Sequence, residues 1–155
     1  MFSFLKKRRA EQDMRTRIGT ELHRQIMLAF NKNEARTSIA LPSAYTAGFV
    51  PAFIQTAFAA YSGTDGRELE AKHRRRICDG VLPKRLNEVI LRQSAAYGLA
   101  ANIPDRQGAG GAGRLPPSAL RTAFEQGTAD GQRDAAAFAA RGKSLELLTT
   151  FLTAQ

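Results

Sequence analysis

The chain has 155 residues, 43% hydrophobic and 24% charged, a balance that excludes wholesale disorder and lets one domain bury about 70% of the surface its unfolded chain exposes. A formal charge of +9 with an isoelectric point near 10.4 favours polyanionic partners, either phosphate backbones or anionic lipid head groups. Cys78 is the only cysteine, which excludes an intramolecular disulfide and suits a reducing cytoplasm.

The chain opens with Phe2, Phe4 and Leu5 followed by four consecutive cations, Lys6, Lys7, Arg8 and Arg9. No strongly apolar run follows these cations, so no secretory signal is expected. Four cations at the start of a helix are opposed by its macrodipole, a mismatch that favours a function for them. Aromatics entering the acyl boundary, with each cation contributing about 1 kcal/mol near an anionic leaflet, make an interfacial membrane contact physically reasonable. An acidic partner is the other reading.

Met14, Ile18, Leu22, Ile26, Ala29 and Phe30 recur at intervals of three or four, which predicts an amphipathic helix from about residue 8 to 31, with residues 1–9 as a basic extension of it. Residues 37–64 then carry no formal charge. A bilayer span needs about 20 predominantly apolar residues, but Pro42, Ser43, Gly48, Pro51 and Gln55 interrupt this stretch, so a buried central helix is expected. Pro51 lacks an N–H and clashes with the preceding turn, which predicts a kink or split near Val50.

Asp65 with Glu68 three residues later predicts a helix start, and Gly80 its end. Pro83 fits the first turn of the next helix, on which Leu86, Val89, Ile90, Tyr97 and Ala100 form the expected buried face. The first of these helices carries the second basic cluster, Lys72, Arg74, Arg75 and Arg76, a candidate polyanion-binding patch. His73 in its midst is expected to face solvent. Residues 103–117, rich in Gly and Pro, read as a flexible surface loop. The string GAGGAG within it matches G-x-G-x-x-G only formally, because no strand precedes it. Ser118 then caps a long helix, and a last one places Leu145, Leu148, Phe151 and Leu152 on one face.

Small residues recur every four positions on two of these helices: Ala44, Gly48 and Ala52 on one, Gly127, Gly131 and Ala135 on the other. Each helical Gly costs about 1 kcal/mol against Ala, so the ridges call for a compensating close contact. The strings AYTAG at 44–48 and AFEQG at 123–127 share one pattern. The ridges either pack on each other within the chain or form a self-association surface across a two-fold axis.

Candidate catalytic and metal chemistry is sparse. His23, His73 and Cys78 fall short of a zinc ligand set. Asp130 and Asp134 lie four apart on one helix, a spacing that suits Mg²⁺ with waters, but Arg121 and Arg133 stand ready to neutralise them and no opposing acidic pair is visible. No metal, cofactor or small-molecule substrate is expected. The fold class is all-α, one domain over residues 1–155, a compact bundle of five or six helices. The expected function is that of a non-catalytic, cytoplasmic interaction or adaptor protein, self-associating or bound to a protein partner, whose N-terminus contacts an anionic membrane or an acidic partner. The alternative is a sequence-tolerant nucleic-acid-binding protein using the basic blocks at 6–9 and 72–76.

Overall fold

In the computed structural model the described residues are 1–101 and 118–154, with side chains described through residue 97 in the first stretch. The Gly/Pro-rich loop expected at 103–117 lies outside the described residues. Seven helices and no strand occur among them: α1 (Phe2–Lys32), α2 (Glu34–Ala40), α3 (Ala44–Ser62), α4 (Gly66–Val81), α5 (Lys84–Ala101), α6 (Ser118–Arg141) and α7 (Leu147–Thr153). The all-α class is therefore observed, with one helix more than the expected five or six. The extra element is α2, cut from the uncharged segment by an 82° bend before α3.

That break falls at residues 41–43, where Pro42 stands, and not at Pro51. The helix α3 runs uninterrupted through Pro51, correcting the expected split near Val50. An interior Pro costs about 3 kcal/mol, and the packing around it supplies the compensation: Phe49, Phe53, Ile54 and Phe58 on both sides of Pro51 are fully buried. Ser43 starts the helix by accepting a hydrogen bond from the Thr46 N–H at 3.3 Å, and Gly63 ends it in the left-handed conformation, which Gly adopts without a Cβ penalty.

Helix α3 is the axis of the molecule. It is buried along most of its length and packs most extensively on α6, with α4 and α5 on other sides. The absence of charge in residues 37–64 thus follows from position: a central helix touches protein nearly all round. No single described helix is long and apolar enough to cross a membrane. One hydrophobic core draws on all seven helices, from Ile18, Leu22 and Ile26 of α1 to Leu148 and Leu152 of α7.

The two small-residue ridges meet each other in this core. A Cβ on Gly48 would lie inside the van der Waals envelope of the Phe124 carbonyl oxygen, and one on Gly127 inside that of Tyr45. Further along, a Cβ on Gly131 would come 2.5 Å from the Phe49 carbonyl oxygen and 3.2 Å from the Ala52 Cβ. Contacts advance together along both helices, from Tyr45 with Gly127 to Phe49 with Gly131 and Phe53 with Phe138, so α3 and α6 run in the same direction. Ala44, Ala52 and Ala135 are buried as well. The ridges are filled by one another, the first of the two readings of their spacing, which leaves these faces unavailable to a second copy.

Other side-chain positions depart from the expected faces. Val89 is 41% exposed and Leu145 45% exposed, whereas Asn87, Ile90 and Ser94 form the buried side of α5. The Val-Ile-Leu run at 89–91 turns through most of a helical circuit, so its three side chains cannot all face the core. Leu145 precedes α7 and lies outside the stripe formed by Leu148 and Leu152.

Candidate functional site

Helix α1 is 31 residues long, about 46 Å at 1.5 Å per residue. Its first fully buried side chain is Ile18, and every residue from Met1 to Ala10 is exposed. The N-terminal part therefore overhangs the hydrophobic core by about 14 Å, with Phe4, Lys7 and Arg8 on an open groove whose other side is formed by Thr64, Glu68 and Leu69. Phe2 is 83% exposed, Phe4 56% and Leu5 58%. The overhang has no acidic residue in its first turn and no side-chain cap, and among the described residues Lys6, Lys7, Arg8 and Arg9 form no ion pair. The Arg8 guanidinium lies 4.5 Å from the centre of the Phe4 ring, so this cation and this aromatic already form one amphipathic unit.

The root of the overhang is fixed to α4. Glu11 accepts hydrogen bonds from Lys72 Nζ at 2.6 Å and from His73 Nε2. His73 is buried, and its ring stacks on Phe58 with centroids 5.3 Å apart, which corrects the expectation of a solvent-facing side chain. Lys72 and His73 together hold the Glu11 carboxyl below its ordinary value. A carboxylate can only accept, so Nε2 of His73 carries the proton in this bond.

The second basic cluster is not one patch. Arg74 is half-buried and paired with Glu70 through two hydrogen bonds, and this pairing raises its guanidinium further above its ordinary range. Lys72 is held by Glu11. Arg75 stands 87% exposed with Asp79 at a loose 3.9 Å, and Arg76 points into a groove shared with α1. Of the four residues expected to bind polyanions, Lys72 and Arg74 are thus engaged with acids of this chain at hydrogen-bonding distance, and Arg75 pairs loosely with a third.

A buried polar network carries the largest concentration of specific chemistry. Asp134, fully buried on α6, accepts from Gln25 Nε2 at 3.0 Å and from the backbone N–H groups of Leu145 and Leu147. Gln25 Oε1 accepts from the Leu148 N–H at 3.2 Å, and its backbone carbonyl accepts from Thr149 Oγ1 at 2.9 Å. Ser144 Oγ donates to Glu21, and Arg24 bridges Glu21 and Glu146. Burial alone would raise the Glu21 carboxyl, but the hydrogen bonds from Arg24 and Ser144 outweigh it and hold the group low. At Asp134 burial wins over the bonds from Gln25, Leu145 and Leu147, and its carboxyl is raised. The network's geometry is that of a fastener: it ties the start of α7 to α1 and α6 by satisfying backbone donors at a helix N-terminus. Glu146 adopts the left-handed region at φ 59°, and its side chain accepts a 2.9 Å bond from Arg24.

These partners also explain the two aspartates singled out in the sequence. Asp130 accepts from Tyr45 OH at 2.8 Å and pairs with Arg133 at 2.7 Å, while Asp134 points into the network, so the two carboxylates are committed to different contacts. No cluster of three His, Cys, Asp or Glu residues able to hold a metal occurs among the described residues. Burial pushes the Cys78 thiol up to about 12, which leaves it unreactive near neutral pH. Comparison with family models, with curated proteins and with solved structures finds no match to this chain.

Proposed function

We propose that this chain is a non-catalytic helical interaction protein that attaches peripherally to an anionic, cytoplasm-facing membrane through residues 2–9 and serves as an adaptor there. One observation carries the reading: a helical overhang presents three large apolar side chains and four cations to solvent, and among the described residues none of these cations forms an ion pair. An unneeded exposed Phe pair costs solubility, and because α1 begins at Phe2 the cations lie past its first turn, where like charges one turn apart, such as Lys6 and Arg9, cost a few tenths of a kcal/mol. Both costs are relieved when rings enter the acyl boundary and cations meet head groups. The non-catalytic part of the proposal is supported by the engagement of the interior carboxylates Glu21, Glu70 and Asp134 in ion pairs and helix fastening.

The test is a parallel titration of the intact chain and a chain lacking residues 2–9 against phosphatidylserine-containing vesicles and random duplex DNA, each at two salt concentrations. The proposal expects vesicle binding that disappears with the truncation while the fold stays intact. Truncation-tolerant DNA binding with a steep salt dependence, near −0.9 per neutralised phosphate, would instead assign the protein to nucleic acid.

A further inference from the structure

Helices α1 and α4 line an open groove of about 340 Å³ between them. Its rim carries Arg15 and His23 from α1 and Arg76 from α4. Its floor is apolar, Ile77 and Val81, and Gly80 adds room because nothing stands within 4 Å of where its side chain would be. No carboxylate lines the groove, and among the described residues neither Arg15 nor Arg76 forms an ion pair. The Thr16 hydroxyl is bound to the Gln12 carbonyl at 3.1 Å, whereas the Thr20 hydroxyl, also on the groove, has no partner among the described residues.

We propose that this groove binds the phosphate monoester group of a ligand, with Arg15 and Arg76 as opposing forks, Thr20 and His23 as further donors, and the Ile77–Val81 floor beneath the organic part. Guanidinium groups present planar sets of N–H donors that match phosphate oxygens two at a time. A dianionic monoester interacts with both arms at once, while a phosphodiester offers a single charge and must be threaded through the groove. A free phosphorylated small molecule and a lipid bearing a terminal phosphate share this chemistry. The second source requires α1 to lie along the bilayer, because Gly19 stands about 21 Å from Leu5 along the helix. The proposal does not rest on the membrane-binding role of residues 2–9.

The experiment is a titration of the full chain with glycerol 3-phosphate, followed through backbone amide resonances and compared with sodium chloride at matched ionic strength. The proposal expects saturable shifts at Gly19, Thr20 and Gly80 that chloride does not reproduce. Arg15→Gln and Arg76→Gln should each weaken this binding by about tenfold or more with the thermal midpoint unchanged, since neither guanidinium holds the fold together. Unsaturable drift, equal shifts with chloride, or shifts centred on residues 2–9 would overturn it. A second arm compares vesicles containing phosphatidic acid with charge-matched phosphatidylserine vesicles. A preference for phosphatidic acid that the two Arg variants abolish assigns the site to a lipid head group. Soluble binding without that preference assigns it to a free phosphate ester. Duplex DNA that competes with glycerol 3-phosphate and binds more tightly would overturn the monoester assignment.

Discussion

Gly127 of α6 rests directly on the backbone carbonyl of Tyr45 in α3, and the contact is reciprocal: Gly48 of α3 rests on the carbonyl of Phe124 in α6. Each glycine closes an Ala-aromatic-x-x-Gly string and meets the aromatic residue of the other string. The repeated pattern in the sequence is therefore a packing device, two matched notches that bring parallel helices to backbone contact. Tyr45 adds a hydrogen bond to Asp130 one turn beyond, and its ring stacks on Phe151 with centroids 3.8 Å apart, so the same junction also positions α7.

Gly127→Ala is expected to destabilise the fold by about 1–3 kcal/mol, even though Ala is the better helix former by about 1 kcal/mol, because the new methyl meets a carbonyl that cannot move alone. Gly80→Ala is the matched control. Its side chain would enter open space, so it should be neutral or stabilising by up to about 1 kcal/mol. Chemical denaturation of the two variants distinguishes a required notch from an incidental glycine.

Asp134→Ala removes the acceptor for Gln25 and for two backbone donors at the start of α7. Leaving buried donors without partners costs about 1–3 kcal/mol each, less where water enters. The expected outcome is a loss of roughly 2–4 kcal/mol and, in amide exchange, deprotection of Leu147–Thr153 ahead of α3. Uniform loss of protection across all helices would show that α7 does not depend on this fastener.

Acid sensitivity should centre partly on Glu11. Hydrogen bonds from Lys72 and His73 lower its carboxyl below the ordinary carboxylate value of 4.5 in the folded chain, so the unfolded chain binds the proton more readily. Its contribution to stability is full above pH 4.5 and lost as pH falls through the lowered folded value. Asp134 has the opposite sign: its raised carboxyl takes up a proton more readily in the folded chain, which favours folding as pH falls. Denaturation midpoints of the native chain and Glu11→Gln, measured from pH 7 downward, should differ most near neutrality and converge below pH 4.5. A constant difference would mean that Glu11 carries no linked proton.

The legible part of the fold was its local periodicity. Ile18, Leu22 and Ile26 follow a three-or-four rhythm and are all buried, and Asp65 caps α4 through the Arg67 N–H at 2.9 Å. The ridges at Gly48, Gly127 and Gly131 were legible because a helical glycine costs enough to need a reason. What escaped depends on partners far away in the chain. His73 lies among cations in sequence and yet is buried, because Glu11 and Phe58 reach it from other helices. Asp134 resembled half of a metal site until Gln25 and the turn before α7 accounted for its oxygens. Local sterics alone make Pro51 a breaker, which the burial of four large side chains around it overrides. The groove of Arg15, His23 and Arg76 joins residues more than fifty positions apart, a juxtaposition that no local pattern announces.

The central claim, that the overhang enters a membrane surface, is tested most directly by the depth of its first aromatic. The chain contains no Trp, so Phe2→Trp introduces a single fluorescent reporter at a position 83% exposed in the free protein. On addition of phosphatidylserine-containing vesicles its emission should shift to the blue, and lipids brominated on their acyl chains should quench it, whereas purely zwitterionic vesicles leave it unchanged. An emission that remains that of a water-exposed indole at saturating anionic lipid, with no quenching by acyl-chain bromine, would contradict the account.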